Sequence, residues 1–218
     1  MIASKLPEHI YVHIPFCRRR CDYCDFFTRA GVSAERHLAV VRRIGEQIAS
    51  FGFRRCVDAA SSRTTPRTFY LGGGTPSALV PAARRELLGV VSGVCGPETE
   101  VTVEVNPEDV TPELLDEYRR AGVNRLSLGV QSFSEAALRR IGRHTSREAT
   151  IAGTETVAAT WTGRWSVDLI VAIPGRTRHD LDEDLRRTTA YAPGHLSVYE
   201  LGIEPNTVLG RERRRGRF

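Results

Sequence analysis

The chain has 218 residues, 41% of them hydrophobic, which suits one domain with a full apolar core and excludes a disordered polypeptide. Its net charge is +5, but residues 211–218 alone carry five Arg and one Glu, so the remainder is close to neutral, lacks the basic stripe of a nucleic-acid binder, and no nucleic-acid partner is expected. The first ten residues carry no long apolar run and no stretch reaches the ~18 apolar residues of a bilayer crossing, so neither a signal peptide nor an integral membrane span is expected, and the default location is the cytoplasm.

In chain order, the short apolar runs that read as strands are His9–Ile14, Thr68–Leu71, Glu100–Val105, Arg125–Val130, Trp165–Val171 and His195–Leu201. Amphipathic stretches with recognisable starts lie between them. Ser33 precedes a run with Leu38, Val41, Ile44 and Ile48 on one face, and Thr111-Pro112 opens a helix through Leu114, Leu115 and Tyr118 that Gly122 stops. Thr177 and Asp180 form a capping pattern ahead of Leu181 and Leu185. Six β-then-α units without hairpin signals predict an α/β fold built on a parallel sheet, a partial (β/α)6 TIM-like barrel rather than a complete eight-unit one.

Polar residues inside these strands are informative, because parallel strands covered on both faces read as almost continuous Val, Ile and Leu. Side chains alternate faces along a strand. Glu104 lies opposite the valines of Val101–Val105, Gln131 falls on the parity opposite Leu126, Leu128 and Val130, and Asp168 lies opposite Val167 and Leu169. Tyr11 and His13 lie opposite Ile10, Val12 and Ile14. The outward face meets helices, so this polar set is expected to face the lumen near the carboxyl ends of the strands, where such folds place their sites. Burying it requires a polar ligand or mutual hydrogen bonds.

Three of the five cysteines, Cys17, Cys21 and Cys24, sit in a CxxxCxxC loop directly after the first strand. Clustered cysteines in a chain without a secretory signal point to metal rather than disulfides. A structural zinc site uses four protein ligands, commonly paired CxxC units, and no second pair is present. Three cysteines on a [4Fe–4S] cubane leave one iron open, and radical S-adenosylmethionine (SAM) proteins use that arrangement, with the amino and carboxylate groups of SAM on the free iron. Arg18, Arg19 and Arg20 fill the gap between two ligands; they read as a solvated turn whose charge also favours thiolates and a reduced cluster. Cys56 and Cys95 read as ordinary small residues.

The second strand runs into Leu71-Gly-Gly-Gly-Thr-Pro76, by itself a tight turn through which backbone can approach a ligand closely. Together with Tyr11-Val-His-Ile-Pro-Phe-Cys17, Tyr23-Cys-Asp-Phe26, Glu104-Val-Asn-Pro107, Asn124–Phe133, Ile141-Gly-Arg-His144, Val167-Asp-Leu-Ile170 and Ile173-Pro-Gly175, it makes the chain resemble the HemN/HemW family of the radical SAM superfamily. That family comprises oxygen-independent coproporphyrinogen III oxidases and heme-chaperone relatives. The resemblance implies that Cys17, Cys21 and Cys24 hold the cluster and that Tyr11 and Tyr23 are aromatic SAM contacts. It implies further that Gly73, Gly74, Thr75 and Glu104 bind the methionine end of SAM, and that Gln131, Arg143 and Asp168 line its nucleoside or carboxylate. Arg143 lies on a helix-like segment, where a solvated arginine is the alternative to that role.

Asp25-Phe26 resembles the HemW-type heme chaperones, whereas the oxidases carry Gly-Cys there and a longer arm before the first strand. The expected function is therefore heme trafficking, with coproporphyrinogen III oxidation, another radical SAM reaction or an inactive truncated domain as alternatives. Heme or a porphyrinogen and a reductant such as flavodoxin or ferredoxin are the further partners implied. The His-Asn heme motif expected of the chaperones is absent, since no His is followed by Asn. Residues 1–210 are expected to form the radical SAM core and 211–218 a frayed basic tail, the family's C-terminal domain being absent.

Overall fold

The structure, a computed structural model, describes residues 6–53 and 65–217, so Cys56 lies outside the described residues. Six strands form one sheet in the order in which they occur in the chain: β1 (His9–Ile14), β2 (Thr68–Gly73), β3 (Glu100–Val105), β4 (Arg125–Gln131), β5 (Arg164–Val171) and β6 (His195–Glu200). Every adjacent pair is parallel, with β1 and β6 at the two edges. This is the expected open α/β arrangement.

Helices α1 (Ala34–Ser50), α2 (Pro81–Val94), α3 (Pro112–Arg120), α4 (Glu135–Arg140), α5 (Arg147–Thr160) and α6 (Arg178–Ala190) make the crossovers, two of them between β4 and β5. Their starts follow local chemistry. The side chains of Ser33 and Thr111 each accept an amide hydrogen bond in the first turn, and Thr177 and Asp180 complete a reciprocal capping box. Prolines in the first turns of α2 and α3 give up a backbone N–H that would have no helical partner.

The outward faces of the strands supply the core. Ile14, Leu71, Val103, Leu126, Leu128 and Val167 are all at most 1% exposed and pack against helix residues such as Val41, Leu87, Leu115 and Val157. Each side chain so buried contributes ~1.5–3 kcal/mol. Cys95 joins this core, in keeping with its reading as a small apolar residue.

One expectation fails at the chain's basic end. Residues Val208–Arg214 form a helix, α7, that continues across the boundary expected at residue 210. The hydroxyl of Thr207 caps it, and Leu209, 1% exposed, anchors it, so the arginines project from an ordered turn instead of a frayed tail. Among the described residues no helix is long and apolar enough to cross a membrane.

Candidate functional site

The cysteine loop leaves β1 at Pro15 and is closed at its base by backbone. The Cys17 amide donates to the Arg29 carbonyl (3.1 Å) and the Arg29 amide to the Pro15 carbonyl (2.8 Å). Phe16 is buried, its ring stacked on that of His37 with centroids 4.2 Å apart. Further along, the Asp22 amide donates to the Ile141 carbonyl (3.1 Å), while the Asp22 carbonyl accepts from the Leu209 amide (3.0 Å). Gly142, at φ +64°, lies directly against Asp22 and leaves no room for a Cβ. Tyr23 packs into a small apolar cluster with Ile141, Ile170 and Ile173. Elements from across the fold therefore set the loop.

The glycine turn is fastened to the same loop. The Gly74 amide donates to the Ile14 carbonyl (2.8 Å), the Thr75 amide to the Phe16 carbonyl (2.7 Å), and the Thr75 hydroxyl lies 3.5 Å from the Cys17 sulfur. Gly73 takes φ +101° and donates its amide to Glu104 Oε2 (3.0 Å); Glu104 Oε1 accepts from the Tyr70 hydroxyl (2.9 Å). A Cβ on Gly72 would meet Glu104 Oε1 at 2.6 Å, and one on Gly74 would meet the Phe16 carbonyl oxygen at 2.5 Å. The glycines thus serve first to let protein backbone approach protein.

Arg143 is not solvated. It lies in the loop between α4 and α5, 8% exposed, and donates to the Gly129 carbonyl and to Asn106 Oδ1, both at 2.7 Å. Its other Nη is 3.8 Å from the Cys21 sulfur, and Glu108 lies 3.9 Å away. Asp168 accepts from the Ser127 hydroxyl (2.8 Å) through Oδ2, while Oδ1 is buried without a partner. Gln131 ends β4 at φ +66°, past a register shift against β5.

A cavity of about 600 Å³ opens at the carboxyl ends of the strands between these parts. The cysteine loop contributes Cys17, Cys21, Tyr23 and Cys24 to its wall, and the glycine turn contributes Gly73, Gly74 and Thr75. From β3, β4, β5 and the α4–α5 loop come Glu104, Gln131, Asp168 and Arg143. Tyr11 does not line it: half exposed on β1, its ring packs against Tyr70 (centroids 5.8 Å), the residue that holds Glu104.

Burial dominates the electrostatics. Desolvation pushes the Cys17 and Cys21 thiols up, opposed at Cys17 chiefly by the Thr75 hydroxyl and at Cys21 by the Arg143 guanidinium. The Tyr23 phenol is also raised by burial. The Glu104 carboxyl is raised by burial against the hydrogen bonds of Tyr70 and Gly73.

The three thiols of Cys17, Cys21 and Cys24 line one cavity, a donor set that fits an iron–sulfur cluster held by three cysteines. Among the described residues no group of three or more His, Cys, Asp and Glu side chains is arranged to hold one metal ion. The unpartnered Asp168 oxygen, an acceptor in the cavity's wall, suits a ligand that carries hydroxyl donors.

A family model for the radical SAM superfamily matches residues 11–188. The chain belongs to the radical SAM superfamily. Membership implies a [4Fe–4S] cluster and SAM. Among curated proteins, the heme chaperone HemW of Escherichia coli is 37% identical over 94% of the chain, and that of Synechocystis sp. is 34% identical over 98%. HemW of Mycobacterium tuberculosis is 37% identical over 96%. The chain spans about half the length of these relatives, 52–53%. Among solved structures, the radical SAM enzyme coproporphyrinogen III oxidase (HemN) of E. coli superposes with a TM-score of 0.78 at 26% identity, covering 95% of this chain and 47% of that one. The methyltransferase TsrM of Kitasatospora setae, at 0.64 and 15% identity, covers 94% of this chain and 39% of that one and shares the fold alone.

Sequence reasoning did not single out Asn106, which joins Arg143 to the Thr75 hydroxyl (3.4 Å). Strand parity could have found it, since Thr102, Glu104 and Asn106 recur at a period of two. Asp109, 1% exposed, accepts from Arg18 (2.6 Å) and from the Ser77 hydroxyl (2.7 Å), tying the cysteine loop to the glycine turn. No sequence pattern signals that pair.

Proposed function

We propose that this chain holds a [4Fe–4S] cluster through Cys17, Cys21 and Cys24, binds SAM in the adjoining cavity, and serves heme trafficking in the cytoplasm in the manner of HemW chaperones. The observation that carries the first part is the meeting of the three thiols and the partnerless Asp168 oxygen on one cavity. Such a cluster, when bound and reduced, supplies an electron to the SAM sulfonium. A reductant such as flavodoxin or ferredoxin provides that electron.

The chain's own groups divide the work of binding. Gly73, Gly74, Thr75 and Glu104 receive the methionine end of SAM. Glu104 is fixed for this by Tyr70, which Tyr11 backs from outside the wall. Gln131 and Asp168 receive the nucleoside, Tyr23 flanks it, and the forked guanidinium of Arg143 steadies Cys21 and attracts the carboxylate. Heme trafficking rests on the HemW relatives and on Asp25-Phe26, and its heme ligand is not among these groups.

Anaerobic reconstitution with iron and sulfide tests both parts. The expected protein binds about four irons per chain, shifts its reduced EPR spectrum on addition of SAM, binds heme in a titration, and forms no vinyl product from coproporphyrinogen III. Zinc retained in place of iron, or a cluster indifferent to SAM, overturns the cofactor reading. The HemN superposition favours coproporphyrinogen III oxidation as the second reading, and vinyl formation establishes it over trafficking.

A further inference from the structure

Gln131 adopts a backbone conformation that costs energy. Its φ is +66°, and the Ser132 amide donates to the Val130 carbonyl (2.8 Å), closing a three-residue γ-turn around it. A positive-φ γ-turn at a residue with a side chain is strained and persists only where its surroundings hold it.

What holds it is Asp184, on the far side of the β5–α6 connection. Asp184 Oδ2 accepts from the Ser132 hydroxyl (2.6 Å) and Oδ1 from the Phe133 amide (2.9 Å), the two residues that follow the turn. The carboxylate is 6% exposed, and its charge is balanced by Arg176, which donates at 2.8 Å and also binds the Asp180 carbonyl (2.7 Å). A buried charge with this many donors is firmly fixed, and removing one partner leaves the others uncompensated.

The turn folds the Gln131 side chain back over Gly129. A Cβ built on Gly129 would lie 3.0 Å from Gln131 Nε2, 3.4 Å from Asn106 Oδ1 and 3.6 Å from Arg143 Nη2. An unstrained strand end would carry the side chain past this corner. We infer that Asp184, with Arg176 as its counter-charge, is a positioning residue that holds Gln131 in a strained turn so that its amide faces bound SAM. This rests on the reading of the cavity as the SAM site.

The test is a double-mutant cycle on the anaerobically reconstituted chain, with SAM binding read by equilibrium dialysis and by the EPR shift of the reduced cluster. Asp184→Asn is expected to keep its iron and sulfide and to weaken SAM binding about tenfold. In a Gln131→Gly background, with no side chain left to aim, Asp184→Asn is expected to change SAM affinity less than about twofold while still lowering Tm. If Asp184→Asn fails to assemble, Ser132→Ala, which keeps the Phe133 bond, is expected to show the same loss and its disappearance with Gln131→Gly. An unchanged affinity, or an equal loss in both backgrounds, overturns the inference. A wild-type protein that ignores SAM overturns the cavity reading as well.

Discussion

Arg143 and Cys21 meet at the cavity wall, the guanidinium Nη1 lying 3.8 Å from the sulfur. The arginine is buried, so its positive charge is screened little by water and acts strongly on the thiol it touches. It keeps Cys21 from rising as far as burial alone would take it.

Arg143→Met should therefore raise the Cys21 thiol further. With less thiolate present at a fixed mildly alkaline pH, Cys21 of the metal-free protein should alkylate more slowly, as peptide-resolved mass spectrometry would show. The bonds to Asn106 and Gly129 are lost as well, costing about 2 kcal/mol in urea unfolding. Arg143→Lys keeps the charge without the fork and should fall between.

Gly142→Ala should displace the cysteine loop. The residue is at φ +64° and its missing Cβ would strike Asp22, whereas Gly31, at φ +68°, faces open space. Gly142→Ala should cost roughly 1–3 kcal/mol and lower the iron retained per chain, and Gly31→Ala should cost less and leave iron unchanged. Equal iron contents in the two variants would refute this.

Asp109→Asn should loosen the tie between the two loops. Its buried carboxylate takes one bond from Arg18 and one from Ser77, and the neutral amide holds Arg18 less well. The expected loss is about 1–3 kcal/mol in urea unfolding, with faster iron release to a chelator.

Cys95 predicts an alkaline weakness away from the site. Burial pushes its thiol from 9.0 up to about 12. A raised folded-state pKa means that the native protein holds the proton where the unfolded chain has released it. The contribution is complete below pH ~9 and is lost as pH rises towards ~12, at ~1.4 kcal/mol per unit. Cys95→Ala should flatten stability against pH over that window, and an unchanged slope in urea titrations would refute the assignment.

The fold and much of the candidate site were legible in the sequence because period-two alternation is strict in parallel strands. Glu104, Gln131 and Asp168 stood out as polar residues on the lumen parity, and the structure puts all three in the cavity wall. Alternation says nothing about depth, which is why Tyr11 shares the parity yet sits outside the wall. Arg143 was named through the family resemblance and not through any local pattern, because its burial depends on Gly129, Asn106 and Cys21, brought together only by tertiary structure. Likewise the strain at Gln131 leaves no local mark, since the residue that holds it lies on α6.

The hydrogen bonds of Asp22 bear on what an isolated cysteine segment could do. A loop that follows the first strand is pinned by the Ile141 carbonyl and the Leu209 amide, both far from it along the chain. The spacing of the three thiols therefore belongs to the assembled sheet and not to the loop's own sequence. A short peptide carrying residues 15–29 would keep the cysteines and lose the frame that sets them.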